Sequence, residues 1–529
     1  MLRTSFRLTS PLRFTRQASR SRNLTRLAVV GSAACIYSHR NAFAFADQAL
    51  LAKPPIAPPA AAKPKSNKDE TTSEFLVRKV KEIWRSILRF LYASKRVVLC
   101  SAVISSAAII GPPALYFGKD EFLWEYIVYC IQYLGPTFIK LAQWASSRPD
   151  LFPESLTSHL ERLQDSTVTY PWSTARNTLA ESFGEDFEER LEVEKDPIGS
   201  GCIAQVYKGK LKNPDGTDQK VAIKLIHPHV RKLIAVDMDI LRAMAFVFEL
   251  FPSLEYLSMR DIVEEFAINM DKQNDLRMEA RHLMKFQKNF EDQPKIIFPK
   301  PVQGYAKENA LVETFHEGKS INEYMKKDVD KKLKLQLVDL CSLSLLEMVF
   351  KHNFVHGDLH PGNILVQLDK DGPKLVFIDC GIVTKVKKEQ FRPMLDICLA
   401  LLHYDGYKAG MLLADHSTKM SKEGLERFCT GVGDIVRRAQ TLNYFEHLGG
   451  YLTEVCTLSC VNKVKVVPEF FQTAMSIKVA EGIALALDPT IEMAAVAIPV
   501  IVKSQAQYVM NKARGRPTID DDDDLPELL

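Results

Sequence analysis

The chain has 529 residues, 46% hydrophobic and 25% charged, which excludes a wholly disordered or fibrous class and leaves room for two or three domains. A net charge of +4 is too small to argue for nucleic acid as a partner. The ten cysteines include no CxxC pair, so a zinc ribbon or disulfide framework is not expected and buried thiols are.

Residues 1–46 carry Arg3, Arg7, Arg13, Arg16, Arg20, Arg22, Arg26 and Arg40 among serines and threonines, and the first acidic residue is Asp47. This arginine-rich, acid-poor composition predicts a mitochondrial transit peptide. Arginines spread along the whole segment disfavour a secretory signal, although Leu27–Ser38 is apolar. A Pro/Ala-rich linker follows over 47–72, stiffened by Pro54, Pro55, Pro58, Pro59 and Pro64.

Residues 97–117 hold no charge, and about 20 apolar residues cross a bilayer core, so one transmembrane helix is expected there. A surface-lying or buried helix is the alternative. Lys79, Lys81, Arg85, Arg89, Lys95 and Arg96 precede the span. Positive charge stays on the side of entry, which for the inner mitochondrial membrane is the matrix. The large domain would then face the intermembrane space.

The segment Gly135–Pro153, GPTFIKLAQWASSRPDLFP, reads as a helix with Lys140 and Gln143 on one face. Ile198–Lys210, IGSGCIAQVYKGK, places Gly199 and Gly201 between strand-like flanks, where missing side chains let backbone approach phosphate oxygens. Two glycines in a hairpin are common, and the third position of GxGxxG is Ala204. The next strand, KVAIKL, carries Lys224 as a phosphate-binding lysine.

A long helix is predicted over Asp261–Lys288. Within it Glu279 is the natural partner of Lys224, and Asp275, four residues earlier, falls on the same face. Ala310–Glu317, ALVETFHE, is the connection between two lobes, where backbone groups around Glu313–Phe315 would pair with adenine. Lys331–Asn353 has an apolar stripe at helical spacing.

Phe354–Val366, FVHGDLHPGNILV, supplies Asp358 and Asn363 at the D-x-x-x-x-N spacing of a catalytic loop. The carboxylate would accept a hydroxyl proton and the amide oxygen would hold a metal ion. In Leu375–Gly381, LVFIDCG, Asp379 stands after a strand as the second magnesium ligand. Lysine, glutamate and two metal ligands in this order predict a Mg-ATP site of protein-kinase type, with an α+β, two-lobed fold. Gly357 replaces the arginine that grips a phosphorylated activation loop, and no APE-like segment follows Asp379. Activation by loop phosphorylation and protein substrates are therefore not expected. His352, His356 and His360 lack metal-ligand spacing, and His356 reads as structural. Helices are expected to about residue 512, then an acidic disordered tail over 513–529 containing Asp520 to Asp524.

Over roughly residues 120–480 these motifs resemble the UbiB (aarF-domain, ADCK-type) atypical kinases, mitochondrial branch. Lys140 and Gln143 match the family's KxGQ motif, with Ala142 in place of its glycine. The resemblance implies a KxGQ-type helical extension at 120–190 over the active site, an N-lobe at 191–316 and a C-lobe at 317–512. It also implies ATP and Mg2+ as cofactors, and a quinone or phospholipid ligand in coenzyme Q or lipid homeostasis. Two departures stand out. Gly199-Ser200-Gly201-Cys202 replaces an alanine-rich loop, and Gln273 precedes Asp275 where the family has an ExD pair. A nucleotide-gated lipid-binding pseudokinase or scaffold is the alternative function. A small-molecule kinase of aminoglycoside or choline type, which shares HGDLHPGN-like loops, is disfavoured by Lys140 and Gln143.

Overall fold

The computed structural model describes the chain from Thr72 to Leu528, apart from residues 147–158, 161–168, 214–215, 251–258, 327–328, 387, 415, 417–419, 442–447, 467, 490–498, 501, 504–505, 507–509 and 511–524. The expected transit peptide and most of the linker lie outside the described residues. The chain divides into two units, Met1–Arg89 and Phe90–Leu529, and everything below concerns the second.

Helix α1, Thr72–Tyr116, enters this unit at Phe90 and is followed by α2, Asp120–Leu134, and α3, Pro136–Ser146. The window Phe90–Tyr116 is long and apolar enough to cross a membrane, with mean hydropathy 1.9, and 11% of it is buried. The structure nevertheless differs from a free-standing span with the domain beyond it. Arg96 donates to both carboxylate oxygens of Asp237, at 2.6 and 2.9 Å, and also bonds the Leu134 carbonyl. Tyr126 of α2 donates to Ser106 at 2.8 Å, and Cys100 is buried in the core. A buried guanidinium needs a carboxylate partner, and that partner comes from inside the domain. One face of α1 is therefore docked, and Val98, Ile104 and Ile109 face outward.

Helix α4, Trp172–Phe183, leads into β1, Leu191–Ser200, β2, Ala204–Lys212, and β3, Asp218–Ile226. Then come α5, Val230–Glu249, α6, Met259–Gln273, and α7, Leu276–Asn289. Strands β4, Ile296–Ile297, β5, Pro301–Ala306, β6, Ala310–Thr314, and β7, Lys319–Ser320, follow. The first sheet has the order β1-β2-β3-β6-β5. Alternation of side chains gives it two faces. Val221, Ile223, Leu225 and Val312 face Ala175 and Leu179 of α4 in one apolar cluster. Ala222, Lys224 and Glu313 lie on the opposite side and line a cavity.

The expected continuous helix over 261–288 is broken between α6 and α7. Asp275 has extended backbone, φ −127°, and its carboxylate caps α7 by accepting from the Arg277 amide at 3.0 Å. It therefore does not share a helical face with Glu279. An N-terminal cap is where an aspartate is worth most to a helix, about 1 kcal/mol.

Helix α8, Lys331–Leu346, passes into a π-helical turn, Glu347–Lys351, and then β8, Val355–His356. Strands β9, Ile364–Asp369, and β10, Gly372–Phe377, form an antiparallel hairpin in the sheet β4-β10-β9-β7, and β11, Val383–Thr384, pairs with β8. Helices α9, Lys388–Leu402, α10, Gly406–Leu413, α11, Lys422–Thr441, α12, Leu448–Asn462, and α13, Pro468–Leu487, complete the domain. One apolar core joins these helices to α5, α7 and α8. The tail also departs from expectation, because Leu525 and Leu528 pack against this core. Cys460 is exposed, whereas the other described thiols are buried or half-buried.

Candidate active site

A cavity of about 1230 Å³ gathers residues from Lys140 to Leu525, far apart in sequence. Lys140, Gln143, Gly199, Gly201, Lys224, Glu279, Glu313, Phe315, Asp358, Asn363 and Asp379 all line it, and Asp275 does not.

At its centre Lys224 is held between two carboxylates. Its Nζ lies 2.9 Å from Glu279 Oε1 and 2.7 Å from Asp379 Oδ1. Strand β3 delivers the lysine, the first turn of α7 delivers Glu279, and the loop after β10 delivers Asp379. Burial alone would lower the lysine, but Asp379 and Glu279 outweigh it and keep Lys224 charged. Burial likewise pushes Asp379 up, and Lys224 and Lys140 pull it well below the usual carboxylate range. Asp379 has φ +57°, a left-handed conformation that is uncommon outside glycine and recurs at functional loops.

The loop Val355–Ile364 is fixed by its own hydrogen bonds. The ring of the buried His356 bonds the Ile378 carbonyl through Nε2 at 3.1 Å and accepts the Asp358 amide through Nδ1 at 3.3 Å. Asn363 Nδ2 donates to the Asp358 carbonyl at 2.9 Å, and the Asn363 carbonyl accepts from the Ile378 amide at 3.0 Å. These bonds tie the segment carrying Asp358 to the residue before Asp379. Gly357 donates to the Ile382 carbonyl at 2.9 Å. A Cβ there would stand 2.7 Å from Ile382 Cγ2 and 3.0 Å from Thr384 Oγ1, so β11 leaves an arginine no room.

Helix α3 adds the feature local pattern could not supply. Lys140 Nζ lies 3.3 Å from Asp358 Oδ2. Burial is the largest influence on Asp358 and raises it, but Lys140, joined by His360 and His356, pulls it down, and the net shift is downward. Gln143, on the same helix, also lines the cavity.

Gly199 sits in β1 opposite Val206, and Gly201 closes the turn by donating to the Ala204 carbonyl at 2.8 Å. His227 Nε2 bonds the Gly201 carbonyl at 2.8 Å. At the lobe connection, the Phe315 amide donates to the Lys220 carbonyl at 3.1 Å and the Thr314 amide to the Lys300 carbonyl at 2.9 Å. These two donors are committed to backbone carbonyls, so neither amide is free for a ligand in the cavity.

Two features escaped the motifs. His282, one turn beyond Glu279 on α7, bonds the Cys380 carbonyl through Nδ1 at 2.9 Å. Burial lowers this imidazole to about 4 and keeps it neutral, tying α7 to the loop that carries Asp379. A histidine at i+3 from the lysine's partner was the available signal. The second is Leu525, which reaches the cavity wall beside Val479 and Gly482 of α13.

Residues 162–411 match the family model described as "ABC1 atypical kinase-like domain". Among curated relatives, the chain is 27% identical over 481 residues to a probable serine/threonine-protein kinase, abkC, of Dictyostelium discoideum, covering 78% of this chain and 69% of that one. It is 28% identical over 448 residues to an ABC1 family mitochondrial protein, C21C3.03, of Schizosaccharomyces pombe, covering 71% and 65%. It is 30% identical over 302 residues to a probable protein kinase UbiB of Sodalis glossinidius, covering 56% and 54%. The chain thus spans about half to two thirds of the length of these relatives. With the cavity and its paired charges in place, the chain carries an ABC1 atypical kinase-like domain and is a homologue of the ABC1 family mitochondrial proteins and UbiB kinases.

Proposed function

We propose that this chain is a Mg-ATP-dependent atypical kinase or ATPase of the UbiB type, acting on a small-molecule or lipid acceptor in mitochondrial coenzyme Q or lipid homeostasis. The observation that carries the reading is Lys224 held at 2.7–2.9 Å between Glu279 and Asp379 in the cavity that also holds Asp358 and Asn363. Lys224 would bind phosphate oxygens, with Glu279 fixing its position. Asp358 would orient and deprotonate the acceptor hydroxyl. Gly199 has nothing within 4 Å of where a Cβ would stand, which suits a backbone that approaches phosphates.

The donor set fits a magnesium ion. Asp379 and Asn363 offer hard oxygens, and Asn363 Nδ2 is engaged by the Asp358 carbonyl, which leaves its oxygen for the ion. No cluster of three or more His, Cys, Asp or Glu ligands exists among the described residues. Bound there, the ion would neutralise charge on the phosphates.

Residues 191–316 and 317–512 would act as the two lobes, with 120–190 as the extension covering the site. The arginine-rich start and the similarity to a mitochondrial protein of Schizosaccharomyces pombe support that location. The outward apolar face of α1 supports attachment to the inner membrane. The Arg96–Asp237 pair favours a helix held along the domain over one that carries the domain across. Protease treatment of mitoplasts decides the side, and digestion of the domain places it in the intermembrane space.

A second reading has one specific support. Lys140 occupies the carboxylate of Asp358, as expected of a nucleotide-gated lipid-binding scaffold whose base is kept out of chemistry. Magnesium-dependent ATP turnover by the full chain in liposomes, beside Asp358→Ala and Asp379→Ala, separates the two. Turnover lost in both variants supports the enzyme, since removing a general base costs about 10²–10⁴ in rate. ATP binding without turnover, lost only in Asp379→Ala, supports the scaffold.

A further inference from the structure

We propose that the Glu313 side chain selects the adenine base, one carboxyl oxygen accepting from the exocyclic amine and the other donating to ring N7. This inference rests on the nucleotide-binding reading and assigns it a specificity determinant.

Position comes first. Glu313 on β6 pairs with Ala222 on β3, and Lys224 pairs with Leu311. Glu313 and Ala222 therefore point to the same side of the sheet as Lys224. Two residues of strand advance about 6.6 Å, so Glu313 stands that far along the sheet from the phosphate-binding lysine. That is the separation expected between the phosphate end and the base end of a nucleotide. Apolar walls flank the slot, with Val206 and Ala222 on the sheet side and Leu365 on the other.

Burial comes second. Glu313 is 9% exposed, and its Oε2 has no hydrogen-bond partner in the protein. A buried carboxyl oxygen without a partner, in the wall of a cavity, points to a group supplied by a ligand.

Charge state comes third. The groups that face Glu313 are Glu279 on α7, Lys224 on β3, and Asp379 and Cys380 on the loop after β10. Lys224, the cation among them, is already paired with both Glu279 and Asp379. Burial pushes Glu313 up to about 8, helped by the Glu279 charge. At neutral pH it is thus a carboxylic acid, which carries a donor and an acceptor side by side.

Adenine presents an amino donor next to the N7 acceptor, and guanine presents two acceptors there. The acid satisfies the first edge and leaves two acceptors facing each other on the second. A two-bond match of this kind discriminates by about 10–100-fold.

The test uses the full chain in detergent, with a fluorescent ATP analogue displaced by Mg-ATP or Mg-GTP. The wild type is expected to favour ATP by about 10–100-fold, with ATP affinity falling as pH rises through about 8. Glu313→Met removes both hydrogen bonds, and the two nucleotides should then bind within a few-fold of each other. Glu313→Gln, with an amide oxygen and N–H in the same plane, should restore the preference and flatten the pH dependence. An unchanged ATP-to-GTP ratio in Glu313→Met overturns the assignment while leaving the nucleotide site standing. If that variant does not fold, Glu313→Gln alone decides, and a wild-type pH profile in it overturns the assignment. Failure of the wild type to bind either nucleotide overturns this assignment together with the proposed function.

Discussion

Lys140→Met tests whether the helical extension sets the chemistry of the candidate base. The Lys140–Asp358 separation of 3.3 Å corresponds to about 5 kcal/mol of bare attraction at an effective dielectric near 20. Asp358 is 34% exposed, so water screens the pair, and a net value of about 1–2 kcal/mol is expected. That equals about one pKa unit. Asp358 is held below its ordinary value, so its base form persists to low pH and is lost as pH falls through the folded pKa. Removing the lysine raises that pKa and should move the acid limb of the ATP turnover profile up by about one pH unit. At pH 7.5 a base stronger by one unit should turn over about threefold faster on Brønsted grounds. The assay is kcat/KM against pH for both proteins. An acid limb that stays in place, or moves down, would refute the claim that Lys140 controls Asp358.

Two further outcomes follow from packing and protonation. Gly357→Ala forces a methyl to within 2.7 Å of Ile382 and should cost about 1–3 kcal/mol, read as a fall in Tm. A shift below one degree would show that β11 yields. His282 is held neutral, its imidazole lowered from 6.5 to about 4 by burial. Its contribution to stability is complete above pH 6.5 and is lost as pH falls toward 4, about 3 kcal/mol in all. His282→Gln should remove that part of the pH dependence of urea unfolding, and equal slopes in both proteins would count against it.

What the chain disclosed in advance was whatever short loops hold. Lys224, Asp358, Asn363 and Asp379 were legible because each motif fixes its side chain within a strand end or a few-residue turn. Glu279 was legible only through its order after Lys224. Asp275 was misplaced because periodicity continued through the break, although an aspartate ahead of Leu276 is itself a helix start signal. Lys140 against Asp358 spans 218 positions, and no local pattern reports a contact between elements so distant. The Glu313 side chain belongs to the same class, since a strand residue shows its face only once its neighbours are paired. The tail illustrates composition misleading in the other direction. Its acidic run hid Leu525 and Leu528, which pack half-buried against the core.

The Arg96 contacts have a mechanical consequence. The guanidinium grips α5 through Asp237 and the end of α2 through the Leu134 carbonyl, and one glycine later α3 begins. α3 in turn packs on α5 and carries Lys140. Sliding or tilting α1 would break a buried ion pair, which costs about 3–5 kcal/mol, before it could leave α3 undisturbed. A load on the outer apolar face of α1 is thus borne by the helix that touches the candidate base, as in a lever with a short, stiff arm.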